Sequence, residues 1–251
     1  MNRLDGKTAL ITGGGRGIAR AIARRLAAEG ALVVVHFGSD HAAADHTAKQ
    51  IQTDGGRAAV LGARFGGGDA EAEAAQLWEA YDKIADGLDI LVNNAGVVGD
   101  RGTIEDIRPE GLQRLMAINT VAPFFVTKHG LTRMHDGGRV VNVSAHLTRG
   151  AGQPDLIAYS MSKGAVDVFT ATLAKHLGDR GITVNAVAPG VVDTDMNAGW
   201  LGHAREMVAG LSPLGRVAGP GDVADIVAFL ASDDSRWVTG QRIDASGGAL
   251  L

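Results

Sequence analysis

The sequence predicts an α/β fold: a doubly wound parallel sheet of about seven strands with helices on both faces, in one domain spanning 1–251. Three observations carry that prediction. Short β-rich runs alternate with longer stretches in which Ala, Leu and Ile recur at helical spacing. Several short runs, such as LVVV at 32–35 and VVNV at 140–143, are almost continuously apolar, as strands covered on both faces must be. No linker or shift in composition divides the chain.

In order, strands are predicted at 8–12, 32–35, 58–61, 90–92, 140–143 and 183–187, with a short one at 242–244. Helices are predicted over 16–29, 40–54, 69–86, 105–134, 157–178 and 221–232. The segment 195–212 breaks the pattern. It holds Trp200, several Met and Leu residues and several glycines, and reads as a mobile substrate cap over the end of the sheet where such folds bind ligands.

Composition narrows the function. Of 251 residues, 45% are hydrophobic and 21% charged, too apolar for disorder to dominate. A net charge of −4 argues against nucleic acid as the main partner. With no cysteine there is no disulfide and no thiolate metal site, and no metal is expected. The N-terminal stretch lacks the apolar core of a signal peptide, and no run approaches the ~20 apolar residues of a membrane span. A cytoplasmic protein with no membrane partner is the expectation.

The first strand runs into Thr12-Gly13-Gly14-Gly15-Arg16-Gly17-Ile18-Ala19 and then a helix. Glycines there let the chain turn sharply and let backbone N–H groups approach a pyrophosphate, the arrangement of a Rossmann-type dinucleotide site. In NAD-binding units an acid about 20 residues beyond the turn holds the ribose 2′-hydroxyl. That position is Phe37 here, followed by Gly38 and Ser39, so no carboxylate opposes a 2′-phosphate. Arg16 supplies an opposing charge and Ser39 a hydroxyl. NADP(H) is therefore expected to be preferred, with NAD(H) possible.

Tyr159 and Lys163 lie four residues apart, on one face of a predicted helix. A free phenol, with a pKa near ~10, is a poor base at neutral pH. A neighbouring ammonium favours the phenolate, so Tyr159 is expected to give a proton to a carbonyl oxygen or take one from an alcohol.

These motifs, taken in order, resemble the short-chain dehydrogenase/reductase family over essentially the whole chain, and are similar to its 3-oxoacyl-carrier-protein reductase-like members. The turn is T-G-x-x-x-G with Ala19 in place of a final glycine, and Asn93-Asn94-Ala95-Gly96 follows the fourth strand. Asn119 matches the family's catalytic-site asparagine, Tyr159 to Lys163 its Y-x-x-x-K, and Pro189-Gly190 with Thr194 its nicotinamide-side motif. The ending, from Trp237 through Gly240 to Ser246-Gly247-Gly248, also resembles the family. The resemblance implies cofactor contacts at Gly13, Gly15, Arg16, Gly17, Ile18, Phe37, Ser39, Phe65, Asn93, Ala95, Gly96, Tyr159, Lys163, Pro189, Gly190, Val192 and Thr194. It implies that Lys163 also binds the nicotinamide ribose and that Asn119 helps hold a proton-relaying water. It further implies a homo-tetramer or dimer.

One position departs from the pattern. Similar sequences end the fifth strand with Ser-Ser, the second serine binding the substrate oxygen, but here the strand ends Ser144-Ala145. The loop from Ala145 to Tyr159 is also one residue longer than is common. Ser144 is the candidate for the catalytic role, with His146 and Thr148 as alternatives. The expected function is an NADPH-dependent reductase passing hydride to the carbonyl of a small molecule or acyl thioester, with Tyr159 as proton donor. Two alternatives stay open: an NAD(P)-dependent alcohol, polyol or steroid dehydrogenase, and a dinucleotide-binding protein with little catalysis because of Ala145.

Overall fold

The computed structural model describes residues 3–149 and 152–249. Its sheet contains β1 (Thr8–Ile11), β2 (Leu32–Phe37), β3 (Arg57–Gly62), β4 (Leu88–Asn93), β5 (Met134–Val143), β6 (Thr183–Pro189) and β7 (Arg242–Ala245). All are parallel, in the order β3-β2-β1-β4-β5-β6-β7. The order reverses between β1 and β4, and a doubly wound sheet opens its ligand crevice there, beyond the carboxyl ends of the strands.

Successive side chains of a strand face opposite layers, which explains why these strands are apolar throughout. Ala9, Ile11, Val33 and Val35 pack with α1 (Gly17–Ala28), α2 (His41–Thr53) and α8 (Pro220–Ala231). Leu10, Val34 and Leu91 pack with α3 (Ala70–Tyr81), α5 (Ala122–Gly130) and α6 (Ile157–Leu177). Asp40 and Asp69 start α2 and α3 by accepting the N–H groups of Ala43 and Ala72. No helix among the described residues is long and apolar enough to cross a membrane.

The predicted strands and helices are present, with three differences. β5 begins at Met134 because Leu88 pairs with Met134 and Ile90 with Arg139, so the intervening His135-Asp136-Gly137-Gly138 is an excursion that a periodicity reading drops. The helix predicted over 105–134 divides into α4 (Pro109–Met116), a π-helical turn at Ala117–Val121, and α5. Pro123 brings no N–H for the carbonyl four residues back, that of Asn119, so an unbroken α-helical ladder cannot pass this point. The segment predicted as an irregular cap folds as α7 (Ala198–Leu211), in which only Leu201 and Val208 are buried. With so few buried residues and three glycines, its apolar stripe is too faint to see in sequence.

Candidate active site

The glycine turn joins the carboxyl end of β1 to α1. Gly13 and Gly17 adopt positive φ, 72° and 56°, which other residues rarely tolerate. A Cβ on Gly13 would lie 3.2 Å from the Ala95 Cα, and one on Gly15 3.0 Å from the Ala44 nitrogen, so the turn is pressed between the β4 end and α2. The first N–H groups of α1, from Gly17, Ile18 and Ala19, have no carbonyl behind them within the helix. No acidic side chain enters that first turn. The cradle therefore suits a pyrophosphate.

Thr12 ties this turn to β4: its hydroxyl donates to the Val92 carbonyl and accepts the N–H groups of Asn94 and Ala95. Asn94 returns its side-chain amide to the Thr12 carbonyl at 3.1 Å. From β2, the His36 Nδ1 accepts the Gly13 N–H at 3.1 Å while its Nε2 reaches the Ala63 carbonyl at 2.8 Å. Burial holds the His36 imidazole down to about 4, neutral at physiological pH, and its ring stacks on Phe65 at 4.8 Å. His36 is thereby the latch between the glycine turn and the end of β3.

At the carboxyl end of β2, Gly38 and Ser39 are exposed, and the Phe37 ring lies across Gly62 and edge-on to His41. The next acid, Asp40, is occupied as the cap of α2. Arg16 is exposed and forms no ion pair or side-chain hydrogen bond among the described residues. Asn93, expected at the cofactor, is instead buried: its amide donates to Thr127 and Asn142, holding β4 to β5 and α5. The neighbouring Asn94 is the one that meets the turn. Thr194, beyond the buried Pro189 and Val192, brings its methyl to 3.4 Å from where a Gly17 Cβ would stand, so the β6 loop closes over the start of α1.

Tyr159 and Lys163 share a face near the start of α6. The Lys163 ammonium is buried, donates to the Val143 carbonyl at 2.7 Å and lies 5.9 Å from the Tyr159 ring centre. Burial pulls Lys163 down to about 8, opposed by the charge of Asp167. Burial pushes the Tyr159 phenol up to about 12. The expected lowering by the ammonium is not seen: desolvation alone acts on the phenol, while the Lys163 proton is directed to the Val143 carbonyl. Asn119 sits in the π turn, exchanging two hydrogen bonds with the Val97 backbone and donating to Ser162. A Cβ on Gly96 would meet both the Asn119 Oδ1 and the Lys163 Nζ, at 3.2 and 3.5 Å, so the N-N-A-G segment passes directly beside the pair.

Ser144 is not placed for the catalytic role expected of it. It is 2% exposed, and its hydroxyl faces the Lys163 carbonyl at 3.5 Å, against α6. Neighbours on an extended chain point oppositely, so Ala145 takes the direction a substrate-binding serine needs. Thr148 is also engaged, donating to the Ala145 carbonyl and accepting from Arg242. His146 is half-buried, with Nδ1 3.1 Å from the Pro189 carbonyl. Arg242, unnoticed in the sequence, reaches from β7 to the carbonyls of Ala145 and His146 and pairs with Asp167 at 3.3 Å. It thereby fixes the loop after β5 against the helix that carries Tyr159. Residues 150 and 151 of that loop lie outside the described residues.

A phosphate cradle and a Tyr–Lys pair with a buried ammonium, at the switch point of a parallel sheet, define a dinucleotide-dependent oxidoreductase. The chain belongs to the short-chain dehydrogenase/reductase family: the family model described as Enoyl-(Acyl carrier protein) reductase matches residues 13–249. Versicolorin reductase 1 of Aspergillus parasiticus is 41% identical over 264 residues, covering 99% of this chain and 98% of that protein. Trihydroxynaphthalene reductase of Colletotrichum orbiculare is 37% identical, covering 99% and 91%. Among solved structures, the reductase LugOII, described as catalysing keto-reduction at C1 during lugdunomycin biosynthesis, is 48% identical with a TM-score of 0.93, covering 99% and 100%. The landomycin C-6 ketoreductase LanV with bound NADP and rabelomycin is 46% identical with a TM-score of 0.90, covering 100% and 98%.

Proposed function

We propose that the protein is an NADPH-dependent reductase of ketones on fused-ring aromatic small molecules. The observation that carries this reading is the Tyr159–Lys163 pair on one face of α6, its buried ammonium set by the Val143 carbonyl beside the Gly96 segment that leads from the glycine turn. A protonated phenol is the form that reduction consumes: hydride goes to the carbonyl carbon and the Tyr159 proton to the oxygen. The reduced nicotinamide supplies the hydride when bound. Lys163, oriented by Val143, holds the ribose and tunes the phenol, while Asn119 supports the route by which Tyr159 is reprotonated. Arg16, free of other partners, and the exposed Ser39 favour a 2′-phosphate, and LanV was crystallised with NADP. The named relatives and neighbours, which reduce versicolorin, trihydroxynaphthalene and angucycline compounds, support the substrate class.

In this reading α7 with its flanks is the substrate cap, and the α5–α6 face, which exposes Phe124, Met161 and Val168, is the contact between subunits of a dimer or tetramer. The test is NADPH oxidation against a panel of aromatic ketones, β-ketoacyl thioesters and simple alcohols run in reverse. The aromatic ketones should give the highest kcat/KM. Tyr159→Phe should lower kcat on them by at least ~100-fold while the Kd for NADPH stays within about threefold. Most activity surviving in that variant removes the mechanism, and best turnover on thioesters removes the substrate class.

A further inference from the structure

We propose that His146 is a specificity-determining residue whose Nε2 accepts a hydrogen bond from a ring hydroxyl of the substrate, so that the favoured ketones carry a phenol or enol on the same ring system. The inference rests on the ketone-reductase reading above and narrows its substrate class.

The tautomer follows from the partner. The Pro189 carbonyl can only accept, so the His146 Nδ1, 3.1 Å away, carries the proton. A neutral imidazole then has a bare Nε2. Burial holds the ring below the usual imidazole range, opposed by the Pro189 hydrogen bond and the charge of Asp244 and aided by the charge of Arg242. The Nε2 has no hydrogen-bond partner among the described residues and is not closed off from solvent. The Pro189 bond sets the ring, and the backbone that carries it is fixed. Its backbone carbonyl and that of Ala145 are gripped by Arg242 at 3.2 and 3.0 Å, and the Arg242 side chain is itself only 6% exposed.

Position decides what the bare nitrogen meets. His146 follows Ala145, the residue standing where the substrate oxygen is ordinarily bound, and lies three residues beyond the carbonyl that holds Lys163. Pro189, which orients the ring, ends β6 next to the Gly190 turn. The ring thus lies between the end of β6 and the loop that Arg242 ties to α6, and in the reading proposed here it borders the substrate space. An acceptor there has nothing to offer a ketone oxygen, which is also an acceptor. The nearby Thr148 cannot satisfy it, because its proton is committed to Ala145. A cationic donor would meet the charge of Arg242. A neutral O–H on the substrate is the complementary group, and a site that expects a hydroxyl discriminates against the analogue that lacks it. At this half-buried position the discrimination is about 10- to 100-fold.

The test compares hydroxy-α-tetralones, substituted in turn at each free position of the aromatic ring, with their methoxy counterparts, using the full-length protein and NADPH. At least one positional pair should show a hydroxy-to-methoxy ratio of kcat/KM above about tenfold. His146→Asn keeps a donor for the Pro189 carbonyl but reaches no further, and should bring that ratio to within about threefold of one, chiefly through KM. His146→Gln places an amide oxygen near the lost Nε2 and should recover part of the ratio. No discriminating pair in the unmodified protein, or an unchanged ratio in His146→Asn, overturns the inference. A failure of the reductase reading shows differently, as no NADPH oxidation with any tetralone. Binding then decides the role of His146: naphthols should bind the NADP+ complex about tenfold more tightly than methoxynaphthalenes, with the difference lost in His146→Asn, and equal binding in the unmodified protein overturns it.

Discussion

Replacing His36 by Leu isolates what one buried imidazole contributes to the cofactor turn. His36 is 1% exposed and joins the Gly13 N–H to the Ala63 carbonyl. Leucine fills similar space but leaves one buried donor and one buried acceptor unpaired, each worth about 1–3 kcal/mol, so the loss at pH 8 is roughly 2–6 kcal/mol. The pH dependence gives a second, independent signature. The folded-state value of about 4 lies below the ordinary 6.5, so the folded protein binds fewer protons at this site than the unfolded chain. The stability from keeping His36 neutral is therefore fully present above about pH 6.5 and is lost as pH falls toward 4. The separation corresponds to a ceiling of roughly 3 kcal/mol, of which about 2 kcal/mol is gone by pH 5. Leucine does not titrate. The stability gap between unmodified protein and variant should thus narrow by about 2 kcal/mol between pH 8 and pH 5. Urea denaturation followed by circular dichroism at both pH values measures it, and taking the difference cancels groups common to both proteins. The variant should also bind NADPH at least about tenfold more weakly, because Gly13 loses its tether. A gap that stays constant with pH, or NADPH affinity equal to that of the unmodified protein, would refute the latch.

Three further outcomes test the rest of the site. Ala145→Ser should raise kcat by about tenfold or more, since a single well-placed donor to a developing oxyanion is worth 10²–10³ elsewhere; a change below about twofold means that the substrate oxygen is already satisfied. Arg16→Ala should weaken NADPH by about 10- to 100-fold while NADH changes by less than about threefold; equal weakening of both in a fluorescence titration would remove Arg16 from the 2′-phosphate. Lys163→Met should abolish turnover yet raise the urea midpoint at pH 7, because a lysine held near 8 against an ordinary 10.5 is an unfavourable buried charge there. The sign is the same as for His36: the folded protein binds fewer protons than the unfolded chain, so stability rises as pH climbs from about 8 to 10.5, and the variant's advantage should shrink across that window.

The fold was legible because the signals behind it are local and repeated: apolar runs of strand length, helical periodicity between them and a glycine turn after the first strand. The Tyr159–Lys163 pair was legible for the same reason, since four-residue spacing on a helix fixes a shared face. What sequence reasoning missed depends on contacts between distant segments. Nothing adjacent to Arg242 in the chain says that it will grip the carbonyls of Ala145 and His146, more than ninety residues earlier. His36 looks like a packing residue until β3 brings the Ala63 carbonyl alongside it. Asn93 and Asn94 part where β4 ends: the last strand residue keeps its amide on Asn142 inside the sheet, while the next one turns to the Thr12 carbonyl, and only the paired sheet shows that split. The π turn is the exception, because Pro123 was in plain view. Pro123 denies the Asn119 carbonyl an α-helical partner, and the interruption falls on Asn119 itself, the asparagine singled out as a candidate in the sequence. The same reasoning bears on Ala145. Ser144 did not rotate to replace the missing hydroxyl, since its own hydroxyl is turned against α6 beneath Lys163. The loop is instead pinned by Arg242 at the Ala145 and His146 carbonyls, so if His146 takes the proposed role, the departure at Ala145 comes with a different polar group beside it rather than with none.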